Sequence, residues 1–155
     1  MKNNKILWLD DYRNPFERDW IEKFSPIKNN IDIYWVKSYN EFVSWIQSNG
    51  LPDGVCFDHD LGFEHIKYYF DNGGHQNPPD PSKANFVEKT GYDAAKWLVG
   101  HYMDNFTSPF PQIYVHSANP VGAANIVNYI NGFLKHLDKE QTAKLKVHPF
   151  TIQEK

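Results

Sequence analysis

The sequence predicts an α/β protein built on a mostly parallel, doubly wound sheet of five strands. Two observations carry that expectation. Short continuous apolar runs, read as buried strands, alternate with amphipathic stretches of helical period. Capping signals open the stretches between them: Ser38 three residues before Glu41, Thr90 before Gly91-Tyr92-Asp93, and the Asn-Pro pairs at 14–15 and 119–120. Strands alternating with helices through right-handed crossovers give a parallel sheet. The length of 155 residues is near the common size of one domain, so a single domain over 1–155 is expected.

Ile6-Leu7-Trp8-Leu9 is the first strand and runs into Asp10-Asp11. Asn14-Pro15 then reads as an N-cap followed by proline in the first helical position. The helix carries Trp20, Ile21 and Phe24 inward and ends near Ser25-Pro26. Ile31 to Val36 mixes β-branched and aromatic residues and forms the second strand. Behind the Ser38 cap, Phe42, Val43, Trp45 and Ile46 give a short amphipathic helix closed by Asn49-Gly50. The third strand, Val55 to Asp58, stops at two carboxylates flanking an imidazole, Asp58-His59-Asp60, and then Leu61-Gly62. From Phe63 to Lys89 no period holds, and Asn72-Gly73-Gly74 and Asn77-Pro78-Pro79-Asp80-Pro81 interrupt the chain. This is read as a long insertion loop over 63–89, either a lid over the carboxylates or a flexible insertion. A helix opening at Thr90 buries Ala94, Ala95, Trp97, Leu98 and Tyr102. Pro111 to Ser117 is the fourth strand. Asn119-Pro120 starts a helix through Ile126, Tyr129, Ile130, Phe133 and Leu134, and Lys144 to Phe150 is the expected fifth strand.

Composition narrows the partners. Hydrophobic residues make up 41% and aromatic residues 16%, which fits a globular protein, and the net charge of −3 argues against a broad surface for duplex nucleic acid. A compact basic spot for one phosphate stays open. Cys56, the single cysteine, falls in a buried strand and has no internal partner, which suits a reducing cytoplasm. Met1 to Lys5 leads into the first strand without the apolar region of a signal peptide, and no apolar run reaches membrane-spanning length.

In parallel sheets of this kind ligands bind at the carboxyl ends of the strands. Those ends gather Asp10, Asp11, Asp58, His59, Asp60, His116, Ser117 and His148. Four carboxylates so close repel one another and stay ionised most easily around a hard cation. All-oxygen ligation suits Mg²⁺, Mn²⁺ or Ca²⁺, with Mg²⁺ the usual partner of phosphate chemistry, and neighbouring histidines keep Mn²⁺ or Zn²⁺ open. The Ser117 hydroxyl and the start of the helix after Asn119 suit phosphate oxygens, and an Asx- or hydroxyl-capped turn is the structural alternative at each. Histidine, with an unperturbed pKa of about 6.5, suits proton transfer to a departing alkoxide. Regular alternation sends His116 and Ser117 to opposite faces, so both reach one substrate only through a twist or bulge.

Asp10-Asp11 after the first strand, Asp58 with Leu61-Gly62 after the third and Ser117-Ala118 after the fourth resemble a response-regulator receiver domain. The resemblance implies that Asp10, Asp11 and Asp58 hold Mg²⁺, that Ser117 contacts a phosphoryl group, and that the family's backbone-carbonyl metal ligand falls on Asp60. The similarity is closer to a receiver-like branch, the cyclic-phosphate processing receiver domain. It is carried by Leu9-Asp10-Asp11-Tyr12-Arg13-Asn14-Pro15, Asp58-His59-Asp60-Leu61-Gly62, Thr90-Gly91-Tyr92-Asp93 and His116-Ser117-Ala118-Asn119-Pro120-Val121-Gly122, which together span most of the chain. The implied fold is receiver-like (flavodoxin-like), strand order 2-1-3-4-5, with the insertion after the third strand.

The receiver lysine before a proline on the fifth strand is replaced by His148 before Pro149, and too little chain follows for a full fifth helix; both argue against phosphoaspartate switching. Phe57-Asp58-His59-Asp60 also resembles the Asp-x-Asp motif of haloacid-dehalogenase-type phosphatases, which sits on a first strand and continues with Thr or Val rather than Leu61-Gly62.

The implied activity is metal-dependent hydrolysis of a cyclic phosphate, either an RNA 2′,3′-cyclic phosphate end or a cyclic nucleotide. Asp10, Asp11, Asp58 and Asp60 form the metal set. Asp58, His59 and His116 are the catalytic set, and Arg13, Ser117, Asn119 and His148 bind phosphate. The alternative is a non-enzymatic phosphoacceptor or phosphate-ligand binding module. A degenerate receiver serving only as an interaction surface is opposed by the retained acidic residues.

Overall fold

A computed structural model describes residues 2–105 and 108–137. Its centre is a parallel sheet of four strands, β1 (Asn4–Leu9), β2 (Ile31–Val36), β3 (Gly54–Phe57) and β4 (Gln112–Val115), in the order β2-β1-β3-β4. This is the expected order 2-1-3-4. The expected fifth strand, with His148, lies outside the described residues.

Alternation along the strands sorts their side chains between two cores. Leu7, Leu9, Val55, Phe57, Ile113 and Val115 enter the larger one. It is covered by α2 (Tyr39–Asn49), α4 (Gly91–Asp104) and α5 (Pro120–Leu134), which contribute Phe42, Ile46, Leu98, Ile126 and Ile130. Fully burying an aliphatic or aromatic side chain of this size contributes about 1.5–3 kcal/mol. The other face packs Ile6, Trp8 and Cys56 against Phe24 of the short α1 (Trp20–Phe24). Burial pushes the Cys56 thiol far above its ordinary pKa, so it acts as a core residue.

Three of the four caps read from sequence are in place. The Ser38 hydroxyl accepts from Glu41 N at 3.1 Å, Thr90 and Asp93 form a reciprocal capping box, and the Asn119 side chain accepts from Gly122 N at 3.0 Å. At Asn14-Pro15 the outcome differs. The Asn14 side chain accepts from Phe16 N at 2.9 Å and closes a turn, and Arg18 takes a left-handed φ of 52°, so α1 begins only at Trp20.

The segment between β3 and α4 also departs from expectation. In place of a continuous loop it holds α3 (Phe63–Asp71) and a 3₁₀ turn at Pro81–Lys83. Helix α3 buries His65 and Tyr69 and leaves Phe63, Ile66 and Phe70 exposed. Its inward face is thus the more polar one, and Gly62 gives it no side-chain cap. The capping signal is missing, and the hydrophobic period of Phe63, Ile66 and Phe70 falls on the outward face, which hid the helix.

The register sets the site. Leu9 stands beside Phe57, and Phe57 beside Val115. The ladder runs one residue further, with Asp10 N donating to Val36 O, Asp58 N to Leu9 O and His116 N to Phe57 O at 3.1, 2.9 and 2.8 Å. Asp10, Asp58 and His116 therefore form one row across the carboxyl edge of the sheet.

Candidate active site

One carboxylate oxygen from each of Asp10, Asp11 and Asp58 lies within 4.8 Å of the others. Asp10 and Asp58 are brought together by the β1–β3 register, and Asp11 follows on the loop after β1. All three donors are hard oxygens, with Asp10 and Asp58 fully buried. Carboxylates concentrated in this way fit a hard divalent cation.

Asp10 is engaged at both carboxylate oxygens. Its Oδ1 accepts from the backbone N–H groups of Tyr12 and Arg13, both at 2.9 Å. Its Oδ2 accepts from Arg13 Nη1 and His116 Nε2, both at 3.0 Å. Arg13 is itself buried, with Nη1 also donating to the His116 carbonyl at 3.2 Å and the guanidinium 5.5 Å from the Trp20 ring centre. A guanidinium and an imidazole thus hold one member of the acidic cluster in a fixed orientation.

His116 is fully buried, its ring stacked on Trp8 at 4.2 Å and facing Phe24 at 5.8 Å. A carboxylate only accepts, so the proton of the His116–Asp10 bond sits on Nε2. This placement follows from strand alternation: His116 shares its face with Trp8 and Cys56, and Ser117 turns to the other side. The geometry suits a residue that orients Asp10. Ser117 is likewise fully buried, and its Oγ accepts from Asn119 N at 3.1 Å to close the turn into α5.

Asp60 lies outside the triad, and its side chain faces His59. Its Oδ1 is 2.7 Å from His59 Nδ1, and Asn119 Nδ2 donates to the same oxygen at 3.4 Å. The bond to a carboxylate places a proton on His59 Nδ1, while Nε2 has no hydrogen-bond partner among the described residues. Asn119, Asp60 and His59 form a chain in which the amide holds the carboxylate and the carboxylate orients the imidazole. That is the arrangement of an acid–base histidine with its orienting partner.

Two glycines make the close packing possible. A Cβ on Gly122 would stand 2.5 Å from His59 Cγ, and one on Gly91 would stand 1.8 Å from the Asp58 carbonyl oxygen. The first turns of α5 and α4 can therefore close directly on the Asp58-His59 segment, where Gly91 N donates to His59 O at 2.8 Å.

Sequence reasoning missed the groups that tie the 80–90 segment to this edge. His65 Nδ1 accepts from Leu61 N at 2.8 Å, so its Nε2 carries the proton and donates to the Glu88 carbonyl at 2.9 Å. Glu64 accepts from Val87 N and Glu88 N at 2.9 and 3.1 Å. These two N–H groups hold the Glu64 carboxyl below its ordinary pKa. Asp80 is also lowered, by the Ser82 hydroxyl and backbone N–H, and it accepts from Asn125 of α5 at 3.3 Å.

No curated protein and no solved structure gives a significant match to the chain. Among the described residues no helix is long and apolar enough to cross a membrane. The family model for the cyclic-phosphate processing receiver domain matches residues 5–132, a span that takes in the acidic triad, the His59–Asp60 pair and the start of α5, and the chain belongs to that family.

Proposed function

We propose that this protein opens a cyclic phosphodiester by hydrolysis with the help of a divalent cation, Mg²⁺ first and Mn²⁺ as its substitute. The observation that carries the reading is the convergence of Asp10, Asp11 and Asp58 at the carboxyl edge of the sheet in a member of this family. These three residues would hold the cation, which when bound supplies charge neutralisation at phosphate and a more acidic water.

The chain's own residues supply orientation and protons. Arg13 and His116 keep Asp10 in place. His59, held at Nδ1 by Asp60, delivers a proton from Nε2 to the departing ribose oxygen. In that step a water oxygen bonds to phosphorus, one phosphorus–ribose oxygen bond breaks, and the proton lost by His59 is replaced by one from the attacking water. The product is a phosphomonoester. The substrate is a small cyclic phosphate or the cyclic-phosphate end of an RNA.

The test is ³¹P NMR of nucleoside 2′,3′-cyclic phosphates and 3′,5′-cyclic nucleotides with Mg²⁺ or Mn²⁺. Cation-dependent conversion to a monoester is expected, abolished by Asp58→Asn and lowered by roughly 10²–10⁴-fold in His59→Ala. Binding of these compounds without conversion would overturn hydrolysis in favour of a phosphate-ligand binding module.

A further inference from the structure

A cavity of about 380 Å³ lies beside the carboxyl end of β3, lined by the 81–90 segment and by the first two turns of α4 and Asn125 of α5. The buried His59 is one of the lining residues. His59 directly follows Asp58 of the acidic cluster, and its backbone N–H donates to the Asp58 carboxylate at 2.9 Å. The lining mixes aromatic and polar groups: Phe86, packed edge-on against His65 and Tyr68, and Tyr92, with Lys96 Nζ 4.8 Å over its ring, supply rings, and Ser82, Asn125, Glu88 and Asp93 supply polar groups.

The enclosure is built from specific anchors. Glu64 fastens Val87 and Glu88, His65 fastens the Glu88 carbonyl, and Asp80 ties the 3₁₀ turn to Asn125. The His65 anchor is buried and reaches at its other nitrogen to Leu61, three residues beyond Asp58. One imidazole thus couples the catalytic loop to the segment that encloses the cavity.

From these features we infer that the cavity takes the nucleoside part of the cyclic phosphate, with its ribose against His59 and its base among Phe86 and Tyr92. The inference rests on the hydrolytic reading above and adds the substrate class: a ribonucleoside cyclic phosphate in preference to a cyclic phosphate without a base. The volume is at the small end of the range for ligand sites, about 300–1,000 Å³, and suits one nucleoside. Aromatic rings provide faces on which bases stack regardless of sequence. A ribose oxygen held against His59 would be the oxygen that it protonates.

The test places bulk at a lining position outside the triad and the His59–Asp60 pair. Ala84 lines the cavity, and in Ala84→Trp its backbone bond to Pro81 O is retained. Relative to glycerol 1,2-cyclic phosphate, which has no base, the variant should lose about tenfold or more in kcat/KM for a nucleoside 2′,3′-cyclic phosphate. Equal effects on both substrates, or none, would overturn the assignment. A dinucleotide ending in a 2′,3′-cyclic phosphate, run alongside the mononucleoside, distinguishes an RNA end from a free nucleotide by whichever is turned over faster. Binding is read independently by saturation-transfer NMR with a nucleoside 3′-monophosphate. Base-proton saturation in the wild type that Ala84→Trp abolishes supports the cavity even if neither cyclic phosphate is hydrolysed. Saturation that persists in the variant places the nucleoside elsewhere.

Discussion

Replacing Asp10 by alanine removes an acceptor that takes four hydrogen bonds, two of them from the side chains of Arg13 and His116. The Arg13–Asp10 pair is 4% and 0% exposed, so water can neither screen it nor readily solvate the guanidinium left behind. Breaking a buried pair from one side costs about 3–5 kcal/mol, because the remaining charge stays desolvated. For a protein of this size each kcal/mol lowers the melting temperature by roughly 2–4 °C, so Asp10→Ala should lose about 6–20 °C. Asp19→Ala breaks an exposed pair with Lys23, so its loss should be much smaller. Thermal unfolding followed by circular dichroism, without added metal, gives both numbers. An Asp10→Ala protein melting within about 3 °C of the wild type, or one no less stable than Asp19→Ala, would refute the claim that Arg13 and His116 depend on Asp10.

Two further perturbations probe other parts of the site. Gly122→Ala puts a methyl group where His59 Cγ stands 2.5 Å away, so the ring must leave Asp60. Turnover of a cyclic phosphate should fall by about 10²-fold with Mn²⁺ affinity retained, whereas Gly132→Ala on the same helix, with open space around it, should be neutral or stabilising; equal activity in the two variants would contradict the packing role. The carboxyls of Glu64 and Asp80 are held below their ordinary pKa values, so their stabilisation of the 80–90 segment is complete above the unfolded values of about 4 and lost as pH falls through the lower folded ones. Amide exchange at Ser82, Val87 and Glu88, corrected for intrinsic rates, should show protection lost below about pH 4, and protection unchanged to pH 3 would contradict the anchoring.

Much of the fold was legible because local signals agreed with each other. The apolar runs at 6–9, 31–36 and 55–57 and the caps at Ser38, Thr90 and Asn119 all correspond to observed elements. Helix α3 was hidden because its buried residues are His65 and Tyr69, and its outer face carries Phe63, Ile66 and Phe70. The acidic triad was legible because strand order and register together put Asp10 beside Asp58. Asp60 was harder: adjacent side chains on a strand diverge, and only the turn after β3 lets Asp60 meet His59. The anchors around the cavity join groups far apart in sequence, Glu64 to Val87 and Asp80 to Asn125, which no local pattern announces.

The most direct test of the central claim is a Mn²⁺ titration followed by electron paramagnetic resonance, in which bound ion disappears from the free-ion signal. The wild type should bind Mn²⁺, Mg²⁺ should compete, and Asp58→Asn, which keeps the shape and removes one charge of the triad, should weaken binding by more than about tenfold. Equal Mn²⁺ affinity in the wild type and Asp58→Asn would contradict a cation site built from Asp10, Asp11 and Asp58.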